Sequence, residues 1–382
     1  MGKAGTAPQK SLIVSDCANS VLQNRINTSI IFNYLRDHAS AYRAQISRDL
    51  GISAPAVSRA IGNLLEDGYV TESEKVQVKT GKKAVQISVN AGRGYIVGVD
   101  ILADPLKIAI SDFAGKIQAT IEAAPITAGV NFCTYLNSSI EALIGIFEKK
   151  SHRSNIRLLG VGIAVPAVVD PRTGAIVDAI LYENIADSNL CEKVGARFAT
   201  SVFIENVSSL AAIAEWKRGV GRGTKNLLFI NISKGIGAGM IVDGDLYRGS
   251  RGAAGEIGYF ITDRSGLTQG GRKIGYLESL ASIDALAQGG ERVEEAVNHL
   301  AMAVVDTMIV LNPEIVIIGG AVCEMSGFER IFLDPLIEKI KTYYPFQPVT
   351  VCKTSLGSEA SLIGAVQMTL DAISVHAYPY RL

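Results

Sequence analysis

Residues 43–68 read RAQISRDLGISAPAVSRAIGNLLEDG, and their apolar positions repeat at the spacing of two short helices. Ile46 and Leu50 lie four residues apart in the first helix. Gly51 stands where the chain must turn, and Ser53 is placed to cap the second helix. The inward positions of the second helix are Val57, Ile61, Leu64 and Leu65. This pattern predicts a helix-turn-helix, a motif whose second helix fits the major groove of DNA.

The outer face of the second helix is small and polar near its start, which allows close approach to base edges. Arg59 can reach a guanine or a phosphate, and Ser58 can reach a phosphate. An amphipathic helix pair with a glycine turn also occurs in ordinary protein cores, so both interpretations stay open on this stretch alone. The residues of this face predicted to contact DNA are Ser53, Ala54, Pro55, Ala56, Ser58, Arg59 and Asn63.

Short strand patterns follow at 69–72, 76–78 and 85–89, and a basic turn separates the last two. Lys82 and Lys83 lie in that turn, where we expect them to contact DNA as well. This order of elements predicts a winged helix. Residues 1–90 contain eleven Lys or Arg against seven Asp or Glu, whereas the whole chain is neutral, so positive charge is concentrated where phosphate contact needs it.

A further helix is predicted before the motif, where it would complete a three-helix core. Its apolar positions are Ile30, Ile31, Tyr34 and Leu35. We expect the first twenty or so residues to form a loosely ordered arm, because they are rich in Ala, Ser, Lys and Gln.

The composition predicts a cytoplasmic globular protein with two or three domains. The chain has 382 residues, of which 48% are hydrophobic, 19% are charged and 38 are glycine. It has no run of eighteen apolar residues and no signal-peptide pattern at its start, so we expect no membrane partner. The five cysteines are odd in number and widely scattered, unlike a disulfide framework or a metal site.

From about residue 91 the chain alternates strands with helices, which predicts an α/β body in two lobes separated by a cleft. Ligands of such folds bind at the carboxyl ends of the strands. The predicted helix is 131–149, and the predicted strands are 95–101, 106–113, 158–165, 201–206, 226–233 and 314–320.

Four glycine-bearing stretches follow the winged helix in a distinctive order: 160–170, 205–215, 234–260 and 311–322. The third contains GIGAGMIVDGDLYRGSRGAAGEIG, a long spaced pattern that is hard to obtain by chance. Together with the winged helix, these stretches resemble the ROK family of sugar kinases and sugar-responsive repressors. The resemblance covers nearly the whole chain and is nearest to the repressor branch related to xylose repressors, which carries an amino-terminal winged helix.

The resemblance implies a fold class and a division of the chain. The fold is α/β, with an amino-terminal winged helix-turn-helix and a two-lobed, ribonuclease H-like body of the actin-like ATPase type. We predict the DNA-binding domain at 1–90, the first lobe at 91–204 and the second lobe at 205–382. The last helix is expected to pack back on the first lobe.

Two departures from the family argue against a kinase. Family kinases have glycines after the Asp that matches Asp100, so that the backbone can approach the ATP phosphates. Here the side chains of Leu102 and Ala103 block that approach, and the negative charge of Asp104 repels phosphate. Family kinases also have a catalytic Asp where this chain has Val207, which cannot accept a proton. Loss of a general base typically removes a factor of about 100 to 10,000 in rate. We therefore predict no catalytic residues and no cofactor.

A third departure concerns metal. Many family members hold a structural zinc with a His after GEIG and three downstream cysteines. Here Tyr259 follows GEIG, the matching stretch 269–278 contains no cysteine, and the four histidines lie elsewhere in the sequence. We predict no metal site and expect packing, involving Tyr259 and Tyr276, to hold the loop.

The sugar-binding part of the family pattern is better preserved. By resemblance, Glu256 and Glu278 accept hydrogen bonds from sugar hydroxyls, Asn206 bonds a hydroxyl, and Tyr259 replaces a His that touches sugar. Alternatively, Glu256 caps a helix or forms an ion pair, and Glu278 is a solvated helix residue.

Two further pairs match family positions at loop turns. Pro166 and Ala167 either border the same pocket or form a plain turn. Gly319 and Gly320 match adenosine-side glycines, and we expect them to be only a strand-to-helix turn.

The leading prediction is a sugar-responsive DNA-binding regulator, a repressor of sugar catabolism or transport genes, whose sensor is catalytically inactive. Its expected partners are operator DNA, a monosaccharide or related polyol, and further copies of the chain in a homodimer or homotetramer. The alternatives are a ROK sugar kinase with an added DNA-binding module, and a DNA-binding protein whose α/β part serves only as a dimerisation scaffold.

Overall fold

The computed structural model describes residues 20–73, 76–77, 83–103, 105–124, 130–178, 189–268, 274–287 and 289–374. The chain divides into two compact units. The first, here called the wing unit, comprises residues 1–90 and 374–382, and the second, here called the body, comprises residues 91–373. The predicted amino-terminal arm, Lys82 and Asp104 lie outside the described residues.

The wing unit contains three helices followed by short strands among its described residues. In chain order they are α1 (Ser20–His38), β1 (Ser40–Tyr42), α2 (Arg43–Leu50), α3 (Ala54–Glu66), β2 (Val70–Glu72), β3 (Val76–Gln77), β4 (Lys83–Ala84) and β5 (Gln86–Val89). Strand β5 pairs antiparallel with both β1 and β2, and β3 pairs antiparallel with β4. This order confirms the predicted winged helix-turn-helix.

The core of the wing unit follows the predicted helical periodicity in most positions. Its fully buried residues include Ile31, Leu35, Ile46, Val57, Ile61, Leu64 and Ile87. Gly51 has a φ of 64°, the left-handed conformation that ends α2 and that glycine adopts without strain.

Three details of the wing unit differ from the sequence-based expectation. Ile30 is 42% exposed, because Ile31 takes the inward position on that turn of α1. Ser53 occupies the N-cap position of α3, but its side chain makes no capping hydrogen bond. Lys83 was predicted in the turn of the wing, whereas its backbone pairs with Gln77 in strand β4.

The first lobe of the body is built on one five-stranded sheet. Its elements are β6 (Tyr95–Asp100), β7 (Lys107–Asp112), β8 (Ile117–Glu122), α4 (Phe132–Ser151), β9 (Leu158–Val165), β10 (Val168–Val169), β11 (Ile176–Asp178), α5 (Leu190–Phe198) and β12 (Ser201–Asn206). The sheet order is β12-β9-β6-β7-β8, parallel among the first three strands and antiparallel among the last three. The boundary predicted at 204/205 falls inside β12, two residues before this strand ends.

The second lobe repeats the same topology. Its elements are α6 (Val207–Arg218), β13 (Leu227–Ile232), β14 (Ile236–Val242), β15 (Asp245–Leu246), α7 (Tyr276–Ala281), α8 (Ile283–Leu286), α9 (Glu291–Leu311), β16 (Ile315–Gly319), α10 (Asp334–Tyr343) and β17 (Thr350–Lys353), followed by α11 (Ala360–Ile373). The sheet order is β15-β14-β13-β16-β17, again with three antiparallel strands followed by parallel ones. The repeat places two equivalent sheets in one body.

Helices α6 and α11 pack against each other, with α6 also on β13 and β14 and α11 also on β6 and β9. Glu215 of α6 is fully buried and accepts hydrogen bonds from the loop that leads from β17 into α11. These come from the Thr354 hydroxyl at 2.5 Å, Ser355 N at 2.7 Å, the Ser355 hydroxyl at 2.8 Å and Leu356 N at 3.0 Å, and Val220 N adds a fifth at 3.0 Å. Glu215 therefore links α6 to the loop before α11, and these are the two segments through which the chain passes from one sheet to the other. Among the helices of the described residues, none is both long and apolar enough to span a lipid bilayer.

Candidate functional site

A cavity of about 320 Å³ lies between the two lobes of the body. This volume is at the small end of the range for small-molecule sites, roughly 300 to 1,000 Å³, and suits a compact ligand. The six residues that the sequence predicts for ligand binding all line it: Pro166, Ala167, Asn206, Glu256, Tyr259 and Glu278. The chain thus brings together side chains that are separated by up to 112 positions in the sequence.

The first-lobe side of the cavity is formed where three parallel strands end. Asp100 of β6 is paired with Ala164 of β9, and Asn206 of β12 is paired with Val165 of β9. Because these pairs align the carboxyl ends of the strands, the residues that follow each strand meet at one edge of the sheet.

Asn206 holds the junction between β12 and α6. Its Oδ1 accepts hydrogen bonds from Ser208 N at 2.8 Å and Ser209 N at 3.4 Å, which caps the helix, and its Nδ2 donates to Ala167 O at 3.1 Å. An amide group has two N–H donors, so one N–H remains for a ligand. The sequence predicted a hydroxyl-binding role, and the geometry adds a structural one that the residue type alone did not reveal.

Glu278 lies in the first turn of α7 and is half-buried. Its Oε2 accepts a hydrogen bond from Ile236 N at 2.9 Å, and burial raises the pKa of its carboxyl group. A Cβ at Gly275, which precedes α7, would lie 2.2 Å from Gly258 O, so only glycine allows this close approach of α7 to the neighbouring turn. Glu278 is thus held at the cavity and is not a solvated helix residue.

Glu256 and Tyr259 come from a 3₁₀ turn that borders the cavity, Ile257–Tyr259. Glu256 is half-buried and occupies the N-cap position, but its side chain makes no capping hydrogen bond to this turn. Tyr259 is 47% exposed and lies at the rim.

The loop after this turn is held by a polar network. The Tyr276 hydroxyl donates to Asp263 Oδ1 at 2.6 Å, and the Thr262 hydroxyl lies 2.7 Å from His299 Nδ1. The His299 ring, from α9, packs edge-on against Tyr276 at 6.4 Å between centroids. The hydroxyl of Tyr276 is the main cause that lowers the pKa of Asp263.

The sequence predicts packing by Tyr259 and Tyr276 at this loop. Tyr276 takes part in the network and Tyr259 lies at the rim, while the fold also brings in His299, which is distant in the sequence. The residues present do not fit the zinc site of the family, because Tyr259 stands in place of a His and 269–278 contains no cysteine.

The region that would face ATP phosphates in a kinase is apolar. Leu102 and Val207 line the cavity and pack on one hydrophobic cluster, and Val207 is only 5% exposed. Asp100 is buried, and its carboxyl group accepts hydrogen bonds from the Ser361 hydroxyl and from Leu102 N. Burial raises the pKa of this carboxyl group. Among the residues that the structure describes here, Leu102 and Val207 offer no ligand to a phosphate group or its magnesium ion, and the carboxyl group of Asp100 is turned into the protein.

Gly319 and Gly320 end strand β16, and close packing explains both. A Cβ at Gly319 would lie 2.3 Å from Cζ of Phe229. Gly320 has a φ of +93°, and a Cβ there would lie 2.4 Å from Asn231 Oδ1. Glycine is therefore needed at both positions of this turn for steric reasons.

The predicted DNA-contacting face lies on α3. Ser53, Ala54, Pro55, Ser58 and Arg59 are exposed, as predicted for an outer face. Ala56 and Asn63 are half-buried, since they flank the inward side of the helix. The described part of the wing does not include Lys82 or the side chain of Lys83.

Comparison with known proteins agrees with this architecture. The ROK family model matches residues 96–298 and 288–372, and a model of winged helix-turn-helix DNA-binding domains matches residues 25–71. The xylose repressor of Caldicellulosiruptor bescii is 26% identical to this chain, over 94% of this chain and 99% of the relative.

Two solved structures show the same fold. One, described as a ROK family transcriptional regulator homologous to the E. coli MLC protein, has a TM-score of 0.71 at 18% identity and covers 92% of this chain and 98% of its own. The other is a ROK family glucokinase from Streptomyces griseus in complex with glucose and AMPPNP, with a TM-score of 0.55 at 23% identity, covering 72% of this chain and 99% of its own. The family match spans most of the body, and the wing unit has its own match. The chain therefore belongs to the ROK family and carries a winged helix-turn-helix ahead of an actin-like, ribonuclease H-like body.

Proposed function

We propose that this protein is a sugar-responsive transcriptional repressor whose body senses a monosaccharide or related polyol. The observation that carries the proposal is the cavity bordered by Asn206, Glu256 and Glu278 in a chain that also presents the exposed face of α3. Carboxylates and amides are the groups that bind sugar hydroxyls, because they offer several hydrogen bonds in fixed directions. A relative that aligns over nearly the whole chain is named a xylose repressor, which supports the same function.

The response to sugar requires that the ligand bind two states of the protein with different affinity. We propose that the lobes close on the sugar and that this changes how paired winged helices fit a palindromic operator in a homodimer or homotetramer. In this proposal the lobes move about α6 and α11, because the chain passes between the two sheets at these helices.

The main alternative is a sugar kinase that carries a DNA-binding module. The glucokinase likeness shows a shared fold, and a shared fold does not imply a shared reaction. Val207 is the residue that argues against catalysis, because its side chain cannot remove a proton from a sugar hydroxyl. We propose that the body binds sugar without phosphorylating it.

A thermal-shift screen of the full-length protein against monosaccharides and polyols tests the proposal. A specific ligand at a hundred times its dissociation constant is expected to add about 2.7 kcal/mol to the free energy of unfolding. The same sugar is expected to weaken binding to an operator selected from genomic DNA fragments. If DNA binds but no sugar stabilises the protein, the body is a dimerisation scaffold and the proposed sensing role is wrong.

A further inference from the structure

A loop of the second lobe reaches the first lobe beside the cavity. This segment, residues 247–255, is here called the bridging loop, and both of its ends are fixed to strand β14. Tyr247 N donates a hydrogen bond to Met240 O at 2.8 Å, and Ala238 N donates to Gly255 O at 2.7 Å. The bridging loop is therefore anchored in the second lobe.

Two contacts join the bridging loop to the first lobe. Arg248 Nε donates to Glu205 Oε2, at the end of β12, over 2.5 Å. Gly252 has a φ of +80°, and a Cβ at this position would overlap the carbonyl oxygen of Val169 in β10, so the loop lies directly on that strand. The two loop residues are four positions apart, and both contacts cross from one lobe to the other.

The ion pair between Glu205 and Arg248 is largely enclosed by the protein. Glu205 is only 6% exposed, and the side chain of Arg248 is 28% exposed. The second carboxyl oxygen, Oε1 of Glu205, accepts a hydrogen bond from Asn206 N at 2.8 Å. Exposed ion pairs contribute little, whereas removing one partner of a buried pair leaves a charge without its counter-charge and is costly. Because Glu205 is buried, we expect the loss of Arg248 to have the larger effect.

Both partners are close in sequence to residues that line the cavity. Asn206 follows Glu205 and borders the cavity from the first lobe. Ala253 lies in the bridging loop and Glu256 directly follows it, and both border the cavity from the second lobe. Among the described residues, those that line the cavity include neither Glu205 nor Arg248. The pair thus connects the two sides of the cavity from outside it.

We propose that Glu205 and Arg248 are positioning residues for the ligand site. Their ion pair holds the bridging loop against β12 and so keeps the lining residues of both lobes around one cavity. The inference rests on the proposed function: if a sugar acts by closing the lobes, this pair sets the sugar concentration at which DNA is released. Without the pair the lobes stay joined through α6 and α11, but the arrangement that binds sugar is less populated.

Hydrogen exchange of the full-length protein, without added sugar, tests the positioning role. Arg248→Met keeps much of the length of the side chain and removes its charge and its N–H donors. Amide exchange is expected to become roughly tenfold faster in the bridging loop and also in the first-lobe segments 167–170 and 204–207, while β13 and β16 keep wild-type protection. Arg251→Met is the matched control, because Arg251 is an exposed residue of the same loop, and it is expected to exchange like the wild type.

Operator release measures the functional consequence. Fluorescence anisotropy on the selected operator is titrated with D-xylose and D-glucose, and with the rest of the monosaccharide panel if neither releases the wild type. Arg248→Met is expected to need a roughly tenfold higher sugar concentration for half-maximal release. Its operator affinity without sugar is expected not to fall, since the open lobes are the DNA-binding state in this proposal. Arg251→Met is expected to respond like the wild type.

A double-mutant cycle shows whether the two residues act as one unit. Glu205→Gln keeps an acceptor for Asn206 N and removes the charge that attracts Arg248. The double variant Glu205→Gln with Arg248→Met is expected to need about the same sugar concentration as the more affected single variant, whereas independent effects would multiply. Arg248→Lys retains a cation and is expected to need less sugar than Arg248→Met.

Faster exchange confined to the bridging loop of Arg248→Met, or equal acceleration in Arg251→Met, overturns the inference. Release of Arg248→Met at the wild-type sugar concentration also overturns it, and the proposed function then stands because the wild type responds to sugar. If no sugar releases the wild type, the proposed function is wrong, and the exchange experiment still decides whether the pair positions the lobes. If Arg248→Met does not fold, Glu205→Gln and Arg248→Lys supply the same comparisons.

Discussion

Glu278 shows how burial and hydrogen bonding act on one functional side chain. Burial raises the pKa of its carboxyl group above the ordinary value of 4.5, while the Ile236 N–H favours the ionised form. A sugar hydroxyl that donates to this carboxyl group also favours the ionised form. Ligand binding therefore lowers the pKa of Glu278 and releases protons from the fraction of molecules in which it is protonated.

The first prediction is that sugar affinity increases as the pH rises through the raised pKa of Glu278 and is constant above it. Calorimetry from about pH 5 to 8, where folded proteins are usually most stable, measures the dependence. Glu278→Gln is expected to weaken binding and to flatten the profile. Glu338→Gln, at a solvent-exposed position of α10, is the control and leaves the profile unchanged. Affinity that rises on acidification would contradict this role of Glu278.

Residue type and motif position were sufficient to predict that Asn206, Glu256 and Glu278 lie around one cavity, because the family pattern relates them. They were not sufficient to predict the role of His299. This residue lies 37 positions from its hydrogen-bond partner Thr262 in the sequence, and only the packing of α9 brings the two together. Nor did the sequence reveal that most of the hydrogen-bonding capacity of Asn206 is used within the protein.

Helix α3 presents Arg59 on its exposed side, and the second prediction concerns this element. Arg59→Ala is expected to weaken operator binding by about 1 to 3 kcal/mol and to relax sequence preference if Arg59 reads a base. Lys82→Ala is expected to weaken binding to all DNA sequences alike and to reduce the dependence of DNA affinity on salt concentration. Fluorescence anisotropy with operator and scrambled DNA at two salt concentrations measures both effects.

Arg292→Ala is the matched control for these substitutions. It removes the same charge from an exposed position of α9 in the body, where Arg292 pairs only with Glu295 on its own helix among the described ion pairs. Its DNA affinity is expected to equal that of the wild type. If Arg59→Ala and Lys82→Ala also bind like the wild type, the DNA interface lies elsewhere.

The third prediction concerns the junction of α6 with the loop before α11. Glu215→Gln replaces an acceptor oxygen by an NH₂ group in a fully buried site that receives several N–H and O–H donors. Leaving a buried donor unpaired is expected to lower the free energy of unfolding by roughly 2 to 3 kcal/mol. Urea unfolding followed by the fluorescence of Trp216, the only tryptophan and the neighbour of Glu215, measures the change.

The control for this junction is again Glu338→Gln. Glu338 forms an exposed ion pair with Lys341, and losing this pair is expected to lower the free energy of unfolding by less than about 0.5 kcal/mol. Equal stability of the two variants would show that Glu215 does not fasten the junction.

Strand prediction succeeded for β9, which is apolar and mostly buried, and for β12, which has a short apolar run at its centre; both strands begin and end at the predicted residues. It missed β14, whose sequence IGAGMIV contains two glycines and therefore has low strand propensity. The strand forms since it pairs with β13 along six residues and since Gly239 lets α6 approach, with its Cβ position only 2.2 Å from Ser208 O. Such tertiary causes are not visible in a local pattern.

At the scale of the whole molecule, a body of the ROK family, which includes kinases, stands in one chain with a winged helix-turn-helix unit. The fourth prediction is that the purified protein shows no ATP-dependent sugar phosphorylation above background in a coupled assay. Val207→Asp alone is expected not to restore it, because Leu102 still lines the cavity and Asp100 stays bonded to Ser361. Turnover by the wild type that disappears in Glu256→Gln would contradict the account and favour the kinase.

The central claim is that sugar binding in the cavity controls DNA binding by the wing unit. Fluorescence anisotropy of the full-length protein on its selected operator, titrated with the sugar that stabilises it, tests this claim most directly. The account predicts that the sugar weakens operator binding at least tenfold in the wild type, while Glu256→Gln binds the operator normally and does not respond. Operator affinity that stays the same at saturating sugar, in a protein shown by calorimetry to bind that sugar, would contradict it.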